Sequence, residues 1–293
     1  KKSEIVLEIV VRFLMDYITT IFAFFNNNTS ARSAVKNFHY SRNLPLADKW
    51  VPISALIVYP CIMFCFQKAL MQIDNRGMRL ALNSLSKVLR VPYNLFMIVL
   101  SFATWVLCLE SMAAKARGSR YPATVSLLCE RSASEMSGAL GFACYVYYLT
   151  KYLEIFDTFI MCVKREKLSL LYVCHHAGML VVTWFFLDRQ ILMLPWLVVL
   201  NSFVHILMHL FYLETDLGLR PRRKQLLTIC QIAQLLCAFV VVLMWLNINK
   251  EYKCYGDSKG AVIALCANLM LLLLFCLFQC MKSTNKAKKH KYK

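Results

Sequence analysis

The sequence is poor in the residues that make loops. It has 8 glycines and 7 prolines in 293 positions, which excludes a collagenous or loop-rich chain. Charge is scarce as well: 17% of residues are Asp, Glu, Lys or Arg, although the net charge is +18. A basic soluble nucleic-acid binder would not leave such long uncharged runs between its cations, so no nucleic-acid partner is expected. No internal repeat or low-complexity linker divides the chain. The 13 cysteines fall mostly inside apolar stretches, unlike the framework of a short secreted disulfide scaffold. What abounds is apolar side chain. It makes up 59% of the sequence, against about 45–50% in globular domains, and mean hydropathy is +0.53.

A membrane span needs about 20 mostly apolar residues. Seven stretches qualify: 51–70, 91–110, 138–160, 168–187, 190–213, 225–248 and 260–281. The expected fold is therefore an all-α membrane protein with seven transmembrane helices. Residues 51–281 form one membrane domain, preceded by an N-terminal segment (1–50) and followed by a basic tail (282–293). Ile5 to Phe25 carries Glu8, Arg12 and Asp16 and has no small-residue cleavage site, which predicts an amphipathic interfacial helix rather than a signal peptide.

Basic residues orient the chain. Of 34 Lys and Arg, 18 lie in the tail or in the connections after the first, third and fifth stretches, with Lys68 at the edge of the first. The connections after the second, fourth and sixth hold 8. The richer side is expected to be cytosolic, which puts the C-terminus in the cytosol and the N-terminus in the lumen. Asn27 and Asn28 both begin glycosylation sequons on the luminal side. The tail Lys289-His290-Lys291-Tyr292-Lys293 resembles a dilysine retrieval signal of endoplasmic reticulum membrane proteins. Cys129 and Cys254 fall in two connections on the luminal side. Two readings stay open for them: a disulfide, or two free thiols.

Strongly polar side chains inside a bilayer are costly, so they are functional candidates. The third stretch ends with Lys151, Glu154, Asp157 and Thr158. Their spacing puts Lys151, Glu154 and Thr158 on one helical face, with Asp157 beside them. The fourth opens with His175-His176. The fifth carries Asn201, His205 and His209 at intervals of four, and Tyr212 follows. The sixth opens with Thr228, Gln231 and Gln234. Asp157, His175, His205 and Gln231 each lie 7 to 9 residues from a charged residue at or near a cytosolic connection, roughly 10–14 Å into the membrane. Four consecutive stretches thus bring carboxylates, imidazoles and amides to one level. Tyr145, Tyr147, Tyr148 and Phe211 read as packing.

The chain has 6 histidines, and His39 and His290 lie outside the stretches. That is too few for a membrane di-iron oxygenase. A zinc ion held by His205, His209 and His175 or His176 is conceivable by spacing, but no HExxH pattern accompanies them. Imidazole as general base or acyl acceptor fits better.

At these residues the sequence resembles the ELO family of very-long-chain fatty acid elongases. Lys151-x-x-Glu154-x-x-Asp157-Thr158 is similar to the family's KxxExxDT. Tyr172-Val173-Cys174-His175-His176 stands in the place of HxxHH. Asn201-x-x-x-His205-x-x-Met208-His209 is similar to NxxxHxxMY, and Thr228-x-x-Gln231-x-x-Gln234 to TxxQxxQ. The resemblance implies six helices around an acyl tunnel in an endoplasmic reticulum protein. It implies condensation of a long-chain acyl-CoA with malonyl-CoA, releasing CO2 and CoA, as the first step of fatty acid elongation. It implies no cofactor and no metal, and as partners the bilayer, other enzymes of the elongation cycle and a second copy of the chain. His175, His176, His205, Asp157, Glu154 and Lys151 become the expected catalytic set. Asn201, His209, Tyr172, Thr158, Tyr212, Thr228, Gln231 and Gln234 become supporting residues. Arg220, Arg222, Arg223 and Lys224, or Lys164, Arg165 and Lys167, could attract the phosphates of CoA.

Two positions depart from the family pattern. Tyr172 replaces the first histidine of HxxHH, and His209 replaces a tyrosine. His209 would restore the lost imidazole if the two positions are close. The alternatives are a non-catalytic lipid-binding or regulatory member of the same fold, and an ion or proton path through the buried polar residues.

Overall fold

The computed structural model describes residues 16, 18–21, 23–24, 26, 28–129, 137–191, 193–219, 224–254 and 258–291. The amphipathic stretch expected over 5–25 lies largely outside these residues, as do Asn27, Arg220, Arg222 and Arg223. The described residues form ten delimited helices, with further helical residues at 16, 18–21 and 23–24, and no strand: α1 (Thr29–Lys36), α2 (Trp50–Met71), α3 (Arg76–Gly118), α4 (Ala123–Leu128), α5 (Gly138–Leu153), α6 (Ile155–Val163), α7 (Leu170–Asp188), α8 (Met193–Asp216), α9 (Lys224–Tyr252) and α10 (Ser258–Lys291).

Among the described residues, each stretch expected to span is mostly helical. Five helices are long and apolar enough to cross a membrane: α2, α3, α8, α9 and the 259–277 part of α10. The protein is a multi-pass membrane protein. Apolar side chains that water would penalise face outward, among them Ile57, Val88 and Leu273 at 60–70% exposure. Lipid is the solvent such a surface requires. α3 is much longer than its expected stretch. Its 43 residues extend about 65 Å at 1.5 Å each, well beyond one bilayer core. Asn75 starts it by accepting a hydrogen bond from the Met78 amide.

α3, α5, α7, α10, α9 and α8 are neighbours in that order, and α8 returns to α3. These six helices close a ring. α2 lies outside it, against α6 and α7. α5 is buried from Leu140 to Lys151 without interruption, because α3, α7 and α8 cover it inside the ring and α1 covers it outside.

The stretch expected as one helix over 138–160 is broken at Glu154. The Asp157 amide bonds back to the Glu154 carbonyl at 3.2 Å, a tightened turn in place of the α-helical ladder. The Tyr93 hydroxyl of α3 donates to the Leu153 carbonyl at 3.2 Å. A side chain inserted at a broken ladder is an ordinary origin of a kink.

One end of the ring is strapped by residues 37–47. Tyr145 and Tyr148 of α5 donate their hydroxyls to the Pro45 and Leu46 carbonyls at 2.6 and 2.5 Å. The Trp184 indole of α7 donates to the Ala47 carbonyl at 2.8 Å. Arg42 grips Asp188 through two hydrogen bonds, at 2.7 and 2.9 Å. Asn28, the second sequon asparagine, is exposed and caps α1 through hydrogen bonds from the Ser30 and Ala31 amides. At the strapped end α4 packs on α3 and α9, and Cys129 is joined to Cys254 across a separation of 125 residues. Closing so long a loop restricts the unfolded chain strongly. Cys129→Ser is expected to cost about 2–5 kcal/mol. Thermal unfolding in detergent should show the loss, and wild type under reductant should match the variant.

Candidate active site

The polar residues gather where α3, α5, α7 and α8 meet, towards the end of the ring opposite the strap. Their centre is an ion pair. Lys151 Nζ donates to Glu154 Oε1 at 2.6 Å and to Asn201 Oδ1 at 2.9 Å. It also lies 4.2 Å from the centroid of the Tyr147 ring. An ammonium has three N–H bonds, and each finds a partner here: a carboxylate, an amide oxygen and a π face. Tyr147 donates its hydroxyl to the same Asn201 oxygen at 2.7 Å, filling the second lone pair. Lys151 and Glu154 are 2% and 4% exposed, so neither charge would persist without the other.

Glu154 is the hub for the histidines. Its Oε1 lies 3.4 Å from His205 Nδ1, and its Oε2 lies 3.8 Å from His176 Nδ1. Neither contact is a hydrogen bond, and His205 Nδ1 is buried with no hydrogen-bond partner among the described residues, so Glu154 acts on both rings as the nearby carboxylate of an ion pair. The His175 and His176 rings are 5.6 Å apart edge to face, and Tyr172 packs on His176 at 4.4 Å. The intervals of four along α8 do what they predict. Asn201 meets α5, His205 meets Glu154, and the His209 ring lies 5.8 Å from that of His205.

His209 leads outward through a second chain. Its Nδ1 lies 2.9 Å from Asn94 Oδ1. Asn94 Nδ2 donates to Asp216 Oδ2 at 3.1 Å, and Arg90 Nη2 pairs with Asp216 Oδ1 at 2.8 Å. Beside Arg90 lies a cavity of about 400 Å³ whose lining includes Lys87, Lys164, Asn83 and Ser84. Lys164 is also paired with Glu166.

Other expected residues are placed differently. Thr158 does not join the histidines. It shares a 2.6 Å hydrogen bond with Tyr59 of α2, because the break at Glu154 makes α6 a separate helix whose Thr158 meets α2. Thr228 bonds the Lys224 carbonyl of its own helix at 3.2 Å. Gln231 is half-buried, and the Gln234 Oε1 atom is buried without a hydrogen-bond partner among the described residues. Asp157 is half-buried and faces Tyr93. Tyr212 is 40% exposed, edge-on to His209 at 6.2 Å. Tyr172 and His209 engage different partners, His176 and Asn94. Among the described residues no three His, Cys, Asp or Glu side chains converge to hold a metal ion.

Sequence reasoning missed four participants. Tyr147, read as packing, belongs to the Lys151 network, and its place four residues before Lys151 was the available signal. Asn94, Arg90 and Asp216 went unread. Asn94 lies within the apolar 91–110 stretch, where its polarity was itself the signal.

Residues 44–291 match the GNS1/SUR4 family, also called ELO. The chain belongs to the ELO family. Its similarity to the fatty acid elongase sre1 of Dictyostelium discoideum is 32% identity over 82% of this chain and 86% of that protein. It is 33% identical to fatty acid elongase 5 of Leishmania major over 48% of this chain and 57% of that one. It is 29% identical to the rat very long chain fatty acid elongase 6 over 47% of this chain and 53% of that one. Several relatives thus align over only about half of their length. This ELO protein has a role in fatty acid elongation, and the polar cluster is its candidate active site.

Proposed function

We propose that this ELO protein is a very-long-chain 3-oxoacyl-CoA synthase. It condenses a long-chain acyl-CoA with malonyl-CoA, releases CO2 and CoA, and leaves the chain two carbons longer. The observation that carries this reading is the Glu154 carboxylate, which lies within 3.8 Å of both His176 and His205 beside a buried Lys151–Asn201 pair. One histidine, His175 or His205, attacks the thioester at a bare ring nitrogen. The carbon–sulfur bond breaks, an acyl-imidazole forms, and the CoA thiolate leaves as a thiol by taking the proton that the ring's other nitrogen gives up. Malonyl-CoA then loses CO2, and the resulting enolate attacks the acyl carbon and expels the ring, which takes a proton from water to return to neutral imidazole. His176, Asn201 and Gln231 orient the ring or stabilise the enolate oxygen, while Asp157, Glu154 and Lys151 set the local charge.

In this reading seven helices span the endoplasmic reticulum membrane, with the strapped end luminal and the C-terminus cytosolic. The acyl tail lies inside the six-helix ring. The CoA phosphates sit at the open end, where Lys87, Arg90 and Lys164 line the cavity. Radiolabelled malonyl-CoA, supplied with acyl-CoAs of graded length to the purified protein, should give labelled 3-oxoacyl-CoA with at least one of them. Tyr172 favours one competing reading, a non-catalytic lipid-binding member. The absence of product at every chain length would establish that reading instead.

A further inference from the structure

The ring nitrogen of His209 facing away from Asn94 has no explanation in the scheme above. His209 is fully buried, and its Nε2 has no hydrogen-bond partner among the described residues. A buried polar atom left unpaired costs on the order of 1–3 kcal/mol, so such an atom points to a missing ligand group.

The chain behind His209 decides what that nitrogen can do. Asp216 is held by the Arg90 guanidinium through one oxygen and receives Asn94 through the other. A carboxylate so held only accepts, so the Asn94 group facing it must be the NH2. The Asn94 carbonyl oxygen therefore faces His209, and His209 Nδ1 must carry the proton. Neutral imidazole then has a bare Nε2. Arg90, Asp216 and Asn94 thus fix His209 as a hydrogen-bond acceptor. A tyrosine hydroxyl here could rotate to donate or accept, whereas this imidazole accepts at Nε2.

Position supplies the ligand's chemistry. His209 lies one helical turn from His205, about 6 Å along α8, on the side of Asp216 and the cation-lined cavity. A CoA thioester placed at His205, with its phosphates at Lys87 and Arg90, must thread its pantetheine arm past His209. In that arm the first hydrogen-bond donor beyond sulfur is an amide N–H two methylenes away. We infer that His209 Nε2 accepts a hydrogen bond from this amide, with Asn94 as its positioning residue, so that the site selects pantetheine thioesters over acyl groups on a plain thiol. This inference rests on the synthase reading for the placement of the thioester.

Two acyl-CoA analogues test it by equilibrium binding. Both carry a thioether in place of the thioester, so neither turns over. One keeps the amide nearest sulfur, and the other has an ester there, which replaces the N–H by an oxygen. Wild type is expected to bind the amide analogue about tenfold more tightly, the upper range for one such hydrogen bond. His209→Phe should bind the two equally, and Asn94→Leu should reduce the ratio by freeing the tautomer. Equal binding by wild type, or an unchanged ratio in a folded His209→Phe protein, overturns the inference. Because the measurement needs no turnover, it separates from the malonyl-CoA assay. Discrimination without condensation would sink the synthase reading and keep the His209 contact. Condensation without discrimination would do the reverse.

Discussion

Glu154→Ala is expected to cost about 3–5 kcal/mol of stability and nearly all condensation activity. The energetic part follows from burial. Lys151 is 2% exposed, and its one anionic partner among the described residues is Glu154, 2.6 Å away. Removing one member of a buried pair leaves the other charge uncompensated in a medium that solvates it poorly. Tyr147 and Asn201 soften the loss, since both still touch Lys151, but neither is an anion. Deleting both charges tests this account. Lys151→Met with Glu154→Leu removes the pair while keeping volume, and such replacements are often neutral or stabilising. The double variant should therefore unfold in detergent at or near the wild-type temperature and remain inactive, because His176 and His205 have lost the carboxylate beside them. A double variant as unstable as Glu154→Ala would show that packing, not charge, makes the site fragile.

His205→Ala should reduce turnover by about three orders of magnitude or more while leaving the unfolding temperature within a few degrees of wild type. Its ring is 12% exposed, lies 3.4 Å from Glu154 and carries a buried Nδ1 with no hydrogen-bond partner among the described residues. Little structural energy is therefore tied to it. Two observables complete the test. Intact mass spectrometry after mixing with acyl-CoA should show an acyl adduct on the wild type and, if His205 is the acceptor, none on His205→Ala. Should the adduct persist on His205→Ala and vanish on His175→Ala, His175 is the acceptor and His205 its base. An active wild type with no adduct would reject the acyl-imidazole altogether, leaving direct transfer between bound thioesters.

The helices were legible because each depends on its own residues. An apolar run of about 20 residues can be read without knowing its neighbours, and α2, α8 and α9 begin and end within a few residues of expectation. The α8 face was legible for the same reason: Asn201, His205 and His209 share a face by period alone. What failed depends on a second helix. The break at Glu154 involves Tyr93, which comes from α3, and it sends Thr158 to α2. The hydroxyl of Tyr147 acquires meaning only from an asparagine 54 positions later. Asn94 and Asp216 sit 122 positions apart, too far for any local period to join them.

The strap over residues 37–47 has a consequence for the order of assembly. Its partners on the ring lie far downstream: Tyr145 and Tyr148 are 100 and 102 positions beyond the carbonyls they bind, Trp184 is 137 beyond, and Asp188 is 146 beyond Arg42. A chain made from its N-terminus produces the strap long before anything exists for it to grip. Contacts of such separation form late, after shorter loops have closed. The Tyr145 hydroxyl and the Trp184 indole N–H therefore gain their carbonyl partners only when this earlier-made segment returns. A segment synthesised before the ring is thus among the last to be folded.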